Sequence, residues 1–284
     1  MEILQTAAEL QALTETWRRN GQRIGLVPTM GALHEGHLQL VRAAAAQNDV
    51  VITSVFVNPT QFNNPEDFRL YPRLPEADAA LLAPAGCTAL FLPSVEQMYP
   101  QPTVLRFDFG PLERVMEGAH RPGHFNGVAT VVSKLFHLAR PHRAYFGQKD
   151  LQQVTIIRQL VADLSFDLEL VAYSTIRESD GLAMSSRNRR LSTADRAVAP
   201  RLYEALQLGA EMVKQGQSPS SIRQAVQAQL ASAEAIKLEY FEVADAQTLQ
   251  SVEKAWTPGR AIALCLAAHL GDVRLIDNVI VDVA

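Results

Sequence analysis

Several features that would define a protein class are scarce in this 284-residue chain. It has two cysteines, Cys87 and Cys265, and neither belongs to a Cys-x-x-Cys pair or a spaced Cys/His set. A disulfide framework is therefore not expected, and the two read as reduced core thiols of a cytosolic protein. No window approaches the ~20 apolar residues of a membrane span. The N-terminal MEILQTAAELQALTETWRR is amphipathic and carries acids, without the apolar centre of a secretory signal, so a soluble, cytoplasmic protein is expected. Basic patches are missing as well. A net charge of −4 and a pI near 6.0 argue against DNA or RNA as a partner, though not against a small anion. Neither internal repeats nor low-complexity tracts are visible.

What is present is enough apolar sequence, 48%, for a sizeable core in one large domain or two ordinary ones. The first half alternates short apolar runs with helical patterns. Strands are expected at 24–28, 50–57, 89–93, 143–147 and 167–173, with helices at 37–47, 75–84, 123–139 and 150–163. Near-continuous Val/Ile/Leu/Phe strands interleaved with helices predict a doubly wound parallel α/β sheet of the Rossmann-like kind. The second half predicts helices over 193–214 and 218–234, led by Ser192 and Ser218 as N-caps, and strands at 238–245, 260–270 and 273–281. Gly271 and Asp272 should close a tight hairpin. This is the pattern of a smaller C-terminal α+β domain. The chain is accordingly divided into 1–176 and 177–284.

Chemistry-bearing residues gather where strands end. VPTMGALHEGH, 27–37, follows the first predicted strand and opens a helix. In open α/β sheets ligands bind beyond the carboxyl ends of strands, and a helix N-terminus offers free N–H groups to phosphate. His34 and His37, three residues apart, share one side of a helical turn and suit donation to one phosphoryl group. By itself such a pair serves equally well as a helix cap or a packing pair. HEGH lacks the spacing of HExxH, so a zinc site fits poorly, and no protein metal site is expected. Met184, Ser185, Ser186 and Arg187 offer hydroxyls and a guanidinium to phosphate. Lys149, Asp150, Gln152 and Gln153 stand at another strand end, and Asn58 and Gln61 at a third. Arg121, His124 and Asn126 precede a helix whose Val128, Val131, Val132, Leu135 and Phe136 read as core. No Ser or Cys nucleophile with a convincing partner appears, so the set suits electrostatic stabilisation of phosphoryl transfer rather than covalent catalysis.

Gly31-x-x-His34-x-Gly36-His37 resembles the HIGH signature of the nucleotidyltransferase superfamily, and Met184–Arg187 resembles its KMSKS-type second signature. PTMGALHEGH, FVNPTQF, RPGHFNGVATVV, FGQKDLQQ and RESDGLAMSSRN, taken in order, are similar to the pantoate–β-alanine ligase family. The resemblance implies an AMP-forming condensation of pantoate with β-alanine through a pantoyl adenylate, as in pantothenate and coenzyme A biosynthesis. ATP is the implied co-substrate, Mg²⁺ its companion and a homodimer the assembly.

By the same resemblance, Met30, Gly31, Ala32, Leu33, His34, Glu35, Gly36 and His37 would bind ATP. Gly147, Gln148 through its backbone, Lys149, Asp150, Ile176 and Met184, Ser185, Ser186 and Arg187 would complete that site. His37, His34, Lys149 and Arg187 would stabilise the transferring phosphoryl group, with His37 in the proton donor's place. Gln61 and Gln153 would hold pantoate, with Asn58 helping, and Asp78 would lie near magnesium. Gln148 and Asn126 depart from the family's usual Glu and Arg. A C-terminal domain closing over the site is expected, because an acyl adenylate must be kept from water. The alternatives are another adenylyl-transferring enzyme on the same fold, a nucleotide-binding regulator and a metalloenzyme.

Overall fold

The computed structural model describes residues 1–63, 65–254 and 259–283. Among the described residues, the first part of the chain forms a six-stranded parallel sheet. Its strands are β1 (Glu2–Leu4), β2 (Ile24–Thr29), β3 (Val50–Val55), β4 (Ala89–Phe91), β5 (Arg143–Gly147) and β6 (Glu169–Tyr173), in the order β1-β4-β3-β2-β5-β6. The helices between them are α1 (Ala7–Arg19), α2 (Glu35–Gln47), α3 (Pro65–Leu70), α4 (Pro75–Leu82), α5 (Val95–Met98), α6 (Met116–His120), α7 (His124–Ala139) and α8 (Leu151–Asp163).

Side chains alternate across each central strand, so the sheet feeds two cores. Leu26, Ile52 and Phe146 pack with α1, α7 and α8, while Val27, Val51 and Tyr145 pack with α2 and α4. This is the doubly wound arrangement expected from the apolar runs. The chain winds outward from β2 through β3 to β4, then returns to the other side of β2 with β5. Strand order therefore reverses between β2 and β5, where a crevice opens beyond the strand ends.

The remainder has α9 (Thr193–Val198), α10 (Arg201–Lys214), α11 (Pro219–Ala231) and an antiparallel sheet of β7 (Ile236–Asp245), β8 (Ala261–Leu270) and β9 (Val273–Asp282). Leu202, Leu206, Ile222, Val226, Leu264 and Leu266 belong to a separate core cluster there. The hairpin at Gly271-Asp272 forms as expected, with Leu270 paired to Val273. Ser192 and Ser218 cap their helices, accepting from the Asp195 and Ser221 amides at 3.0 and 3.2 Å.

Three expectations need correction. The helix predicted over 193–214 is two helices, α9 and α10, because Pro200 brings no N–H to an interior turn. β6 is an edge strand with Glu169 exposed rather than buried on both faces. β1 precedes the strand read as the first, and its three residues are too few to give a periodic signal.

One close approach couples fold to site. Helix α7 packs on the 3₁₀ turn Pro59–Gln61, and a Cβ on Gly127 would lie 2.3 Å from the Thr60 carbonyl oxygen. Overpacking of this kind costs about 1–3 kcal/mol. Gly127→Ala is therefore expected to lower the unfolding free energy by about that amount. Urea denaturation checks it, and an unchanged midpoint would refute the contact.

Candidate active site

The loop leaving β2 is held by a buried carboxylate. Asp78 Oδ2 accepts from the Ala32 amide at 3.0 Å and Oδ1 from the Leu33 amide at 2.8 Å. Gly31 takes a φ of +80°, and a Cβ there would sit 2.8 Å from Asp78 Oδ2, so the turn requires glycine. Asp78 is thus spent on the loop backbone and is not among the cavity-lining residues. His34 then stands at the N-cap position of α2, whose positive end faces the crevice.

The two imidazoles lie together, ring centroids 4.0 Å apart. The His34 amide donates to His37 Nδ1 at 3.4 Å, so the neutral His37 ring carries its hydrogen on Nε2. His34 Nδ1 is buried without a hydrogen-bond partner among the described residues. Burial is the main cause that pushes His34 down to about 4, aided by the Lys149 and Arg189 charges. Burial, then His34 and Lys149, push His37 down to about 3.

A single cavity joins these rings to groups from three other strand ends. Met30, His34, Gly36 and His37 line it from the β2 end, and Gly147, Lys149, Asp150 and Gln153 from the β5 end. Asn58 and Gln61 enter from the end of β3, and Ile176 and Met184–Arg187 from the segment after β6. The Met184 amide donates to the Ile176 carbonyl at 2.9 Å, which brings these last two pieces together. Ser185 caps the following turn by accepting from the Arg187 amide at 3.2 Å.

Other expected binding residues lie off the cavity wall. Ala32 and Leu33 are buried in the core, and Glu35 is exposed and paired with Arg42. Gln148 meets β9 through its carbonyl, which accepts from Asn278 Nδ2 at 3.0 Å. Gln152 turns away from the cavity, donating to the Leu112 and Val115 carbonyls at 2.8 and 2.9 Å. Asn126 accepts from the Phe107 amide at 2.8 Å, a local packing bond.

Asn58 is fully engaged. Its Nδ2 donates to Gln61 Oε1 and the Gly127 carbonyl, both at 3.1 Å, and its Oδ1 accepts from Tyr99 and Thr60. It orients Gln61, whose Nε2 donates to Met30 Sδ at 2.9 Å.

Arg121 and His124 are among the lining residues outside the expected site. His124 Nδ1 bonds the Gln61 carbonyl at 2.8 Å, and Arg121 lies beside the same carbonyl, 3.9 Å from Glu117. Burial, then Arg121, push His124 down to about 4. Their RPGH segment stood out in the sequence as preceding a helix, but it gave neither residue a role. Arg189, which reaches the Leu33 carbonyl at 3.5 Å, gave no such signal. The apolar side of α7, through Val128, Val131, Val132 and Leu135, forms one wall.

Lys149, Arg121 and Arg187 line the cavity, and Asp150 is the sole acid among its described lining residues. Fold and site together define an α/β protein whose switch-point crevice is built to hold a polyanion.

Comparison with known proteins narrows this class. The family model described as pantoate-beta-alanine ligase matches residues 2–280. A pantothenate synthetase from Porphyromonas gingivalis is 48% identical over 279 residues, covering 98% of this chain and 99% of its own. A pantothenate synthetase from Thermus thermophilus superposes with a TM-score of 0.90 at 45% identity, covering 98% of this chain and 99% of its own. A pantoate-beta-alanine ligase from Francisella tularensis, complexed with beta-gamma ATP and beta-alanine, gives 0.80 at 35% identity, covering 98% and 97%. The chain belongs to the pantoate–β-alanine ligase family.

The depressed imidazoles carry a signed consequence. His34, His37 and His124 fall to about 4, 3 and 4 in the folded chain. Their unfolded value is about 6.5. Their contribution is therefore intact above about pH 6.5 and is lost as pH falls toward 4, where the unfolded chain takes up protons first. The urea midpoint is expected to hold between about pH 7 and 8 and to fall between about 6.5 and 4.5. A His34→Gln/His37→Gln variant should flatten that limb; an equally steep limb would refute the assignment.

Proposed function

We propose that this chain condenses pantoate with β-alanine at the expense of ATP, through a pantoyl adenylate. The observation carrying the reading is the paired imidazoles at the switch point, facing Lys149 and Met184–Arg187 across one cavity. In the first step a pantoate carboxylate oxygen attacks the α-phosphorus, and pyrophosphate leaves. Both reactants are anions. His34, His37 through Nε2–H, Lys149 and Arg187 offset the repulsion and stabilise charge as it grows. Gln61, set by Asn58, and Gln153 orient pantoate. In the second step the neutral amine of β-alanine attacks the acyl carbon, forming the amide and expelling AMP, and the amine proton is released to solvent. Residues 1–176 bind the substrates, while 177–284 carry Met184–Arg187 and close over the adenylate.

Mg²⁺ fits this site modestly. No cluster of three His, Cys, Asp or Glu is found among the described residues, and Asp150 is the available carboxylate on the wall. That accords with an ion held chiefly by phosphate oxygens, with Asp150 as its protein contact. When bound it supplies charge neutralisation to the phosphates. A homodimer accords with Val104 and Leu105, 91% and 67% exposed in the segment before α6. The cytoplasm accords with two buried free thiols, Cys87 and Cys265. No helix of the described residues is long and apolar enough to cross a membrane.

ATP–pyrophosphate exchange is expected to require pantoate but not β-alanine. Exchange without pantoate, or none in a chain that binds ATP, would overturn the reading. His37→Ala should lower turnover by roughly 10²–10³ with the fold intact, the usual loss for one such donor. Sedimentation equilibrium should give a dimer, with Val104→Glu/Leu105→Glu shifting it to monomer; a wild-type monomer would exclude that assembly.

A further inference from the structure

Asn278 lies 3% exposed on β9, far in sequence from the site. Its Nδ2 donates to two consecutive carbonyls of the turn that carries Lys149, those of Gln148 at 3.0 Å and Lys149 at 2.8 Å. The neighbouring Asp277 is 4% exposed and takes Arg177 in a two-pronged pair at 2.6 and 3.0 Å. Arg177 also donates to the Asn278 carbonyl at 3.3 Å and lies 3.6 Å over the Tyr203 ring. It directly follows Ile176, and its backbone pairs with Ala183, next to Met184. One spot on β9 thus grips both the Lys149 turn and the base of the 184–187 segment.

We infer that Asn278 is a positioning residue for phosphoryl transfer, acting through Lys149. The inference rests on the ligase reading proposed above. A turn with a charged side chain must satisfy its own carbonyls, and here a side-chain amide from the other sheet does so. Both bonds fall on the peptide units flanking Lys149, so they limit how far its ammonium can drift. Arg177 and Asp277 hold β9 in register with the segment after β6. The positive groups on the two sides of the cavity therefore share one mechanical reference. A shift near 1 Å is enough to cost up to roughly 10²-fold in rate.

The test is a double-mutant cycle on the full chain, read by pantoate-dependent ATP–pyrophosphate exchange. Asn278→Ala is expected to lower the exchange kcat roughly tenfold while the pantoate KM stays within about twofold, because Gln61 is set by Asn58 instead. In a Lys149→Ala background the same substitution should change the rate by less than about twofold. Equal losses in both backgrounds, or a wild-type rate in Asn278→Ala, would overturn the inference. Asn278→Ser, too short to reach the carbonyls but closer in polarity, replaces the alanine variant if that does not fold. If neither folds, Asn278 is a stability residue and the inference falls. Absence of exchange in the wild-type chain would instead sink the ligase reading itself.

Discussion

Asp78 lies 1% exposed beneath the loop that leaves β2, with a carboxylate oxygen on each of two successive amides. A buried carboxylate without partners would be costly, and two unpartnered amides in the same place would be costly too. Each removes the other's penalty, and together they hold the chain through Gly31 at φ +80° and Ala32 at φ +51°. That double left-handed turn brings His34 to the head of α2 and aims the helix at the crevice between β2 and β5. Without it α2 could still pack through Leu38, Val41 and Ala44, but its first turn would have no fixed bearing on the cavity.

From this follows the electrostatic character of the site. The imidazoles are driven neutral by the same burial that excludes water, and by the cations around them. A polyanion entering the cavity opposes the second of these causes, though not the burial. It brings negative charge to the rings and compensates Lys149. The resting site is therefore unfavourable to positive charge on His34 and His37, and phosphate would lessen the part of that cost that comes from the cations. Preorganised donors in a dry cavity act more strongly than the same groups in water, which is why so few suffice.

Much of this was legible in sequence because its causes are local. Strands buried on both faces read as unbroken apolar runs, and β2, β3 and β5 were found that way. Strand ends are where ligands meet an open sheet, so HEGH, NPTQ and QKDLQQ stood out with no knowledge of contacts. What local pattern could not show acts over long separations. Asp78 looks like any acid in the first turn of a surface helix, yet it grips amides 45 and 46 residues away. Arg189 and Asn278 gave no local pattern. Pro200 did, and its break between α9 and α10 could have been read. Gln152 shows the converse: a polar residue near a strand end that turns to the Leu112 and Val115 carbonyls.

The two sheets answer a problem that one sheet leaves open. A doubly wound sheet presents its groups at the rim of a crevice, where a phosphate can be held on one side only. Covering it from above requires a second element, and that element's charges are useful only if their distance from Lys149 is fixed. Asn278 on β9 meets the Lys149 turn directly, while Arg177 and Asp277 tie β9 to the segment leading into Met184. If residues 177–284 close over the site as proposed, the C-terminal sheet does more than cover it. Its hairpin, closed tightly at Gly271-Asp272, carries the reference point from which both sides of the cavity are measured. A cover hinged near 177 would then move Met184–Arg187 relative to β2 while leaving Lys149 leaning on the cover's own strand. Closure in this molecule would be felt at the lysine as well as at the arginine.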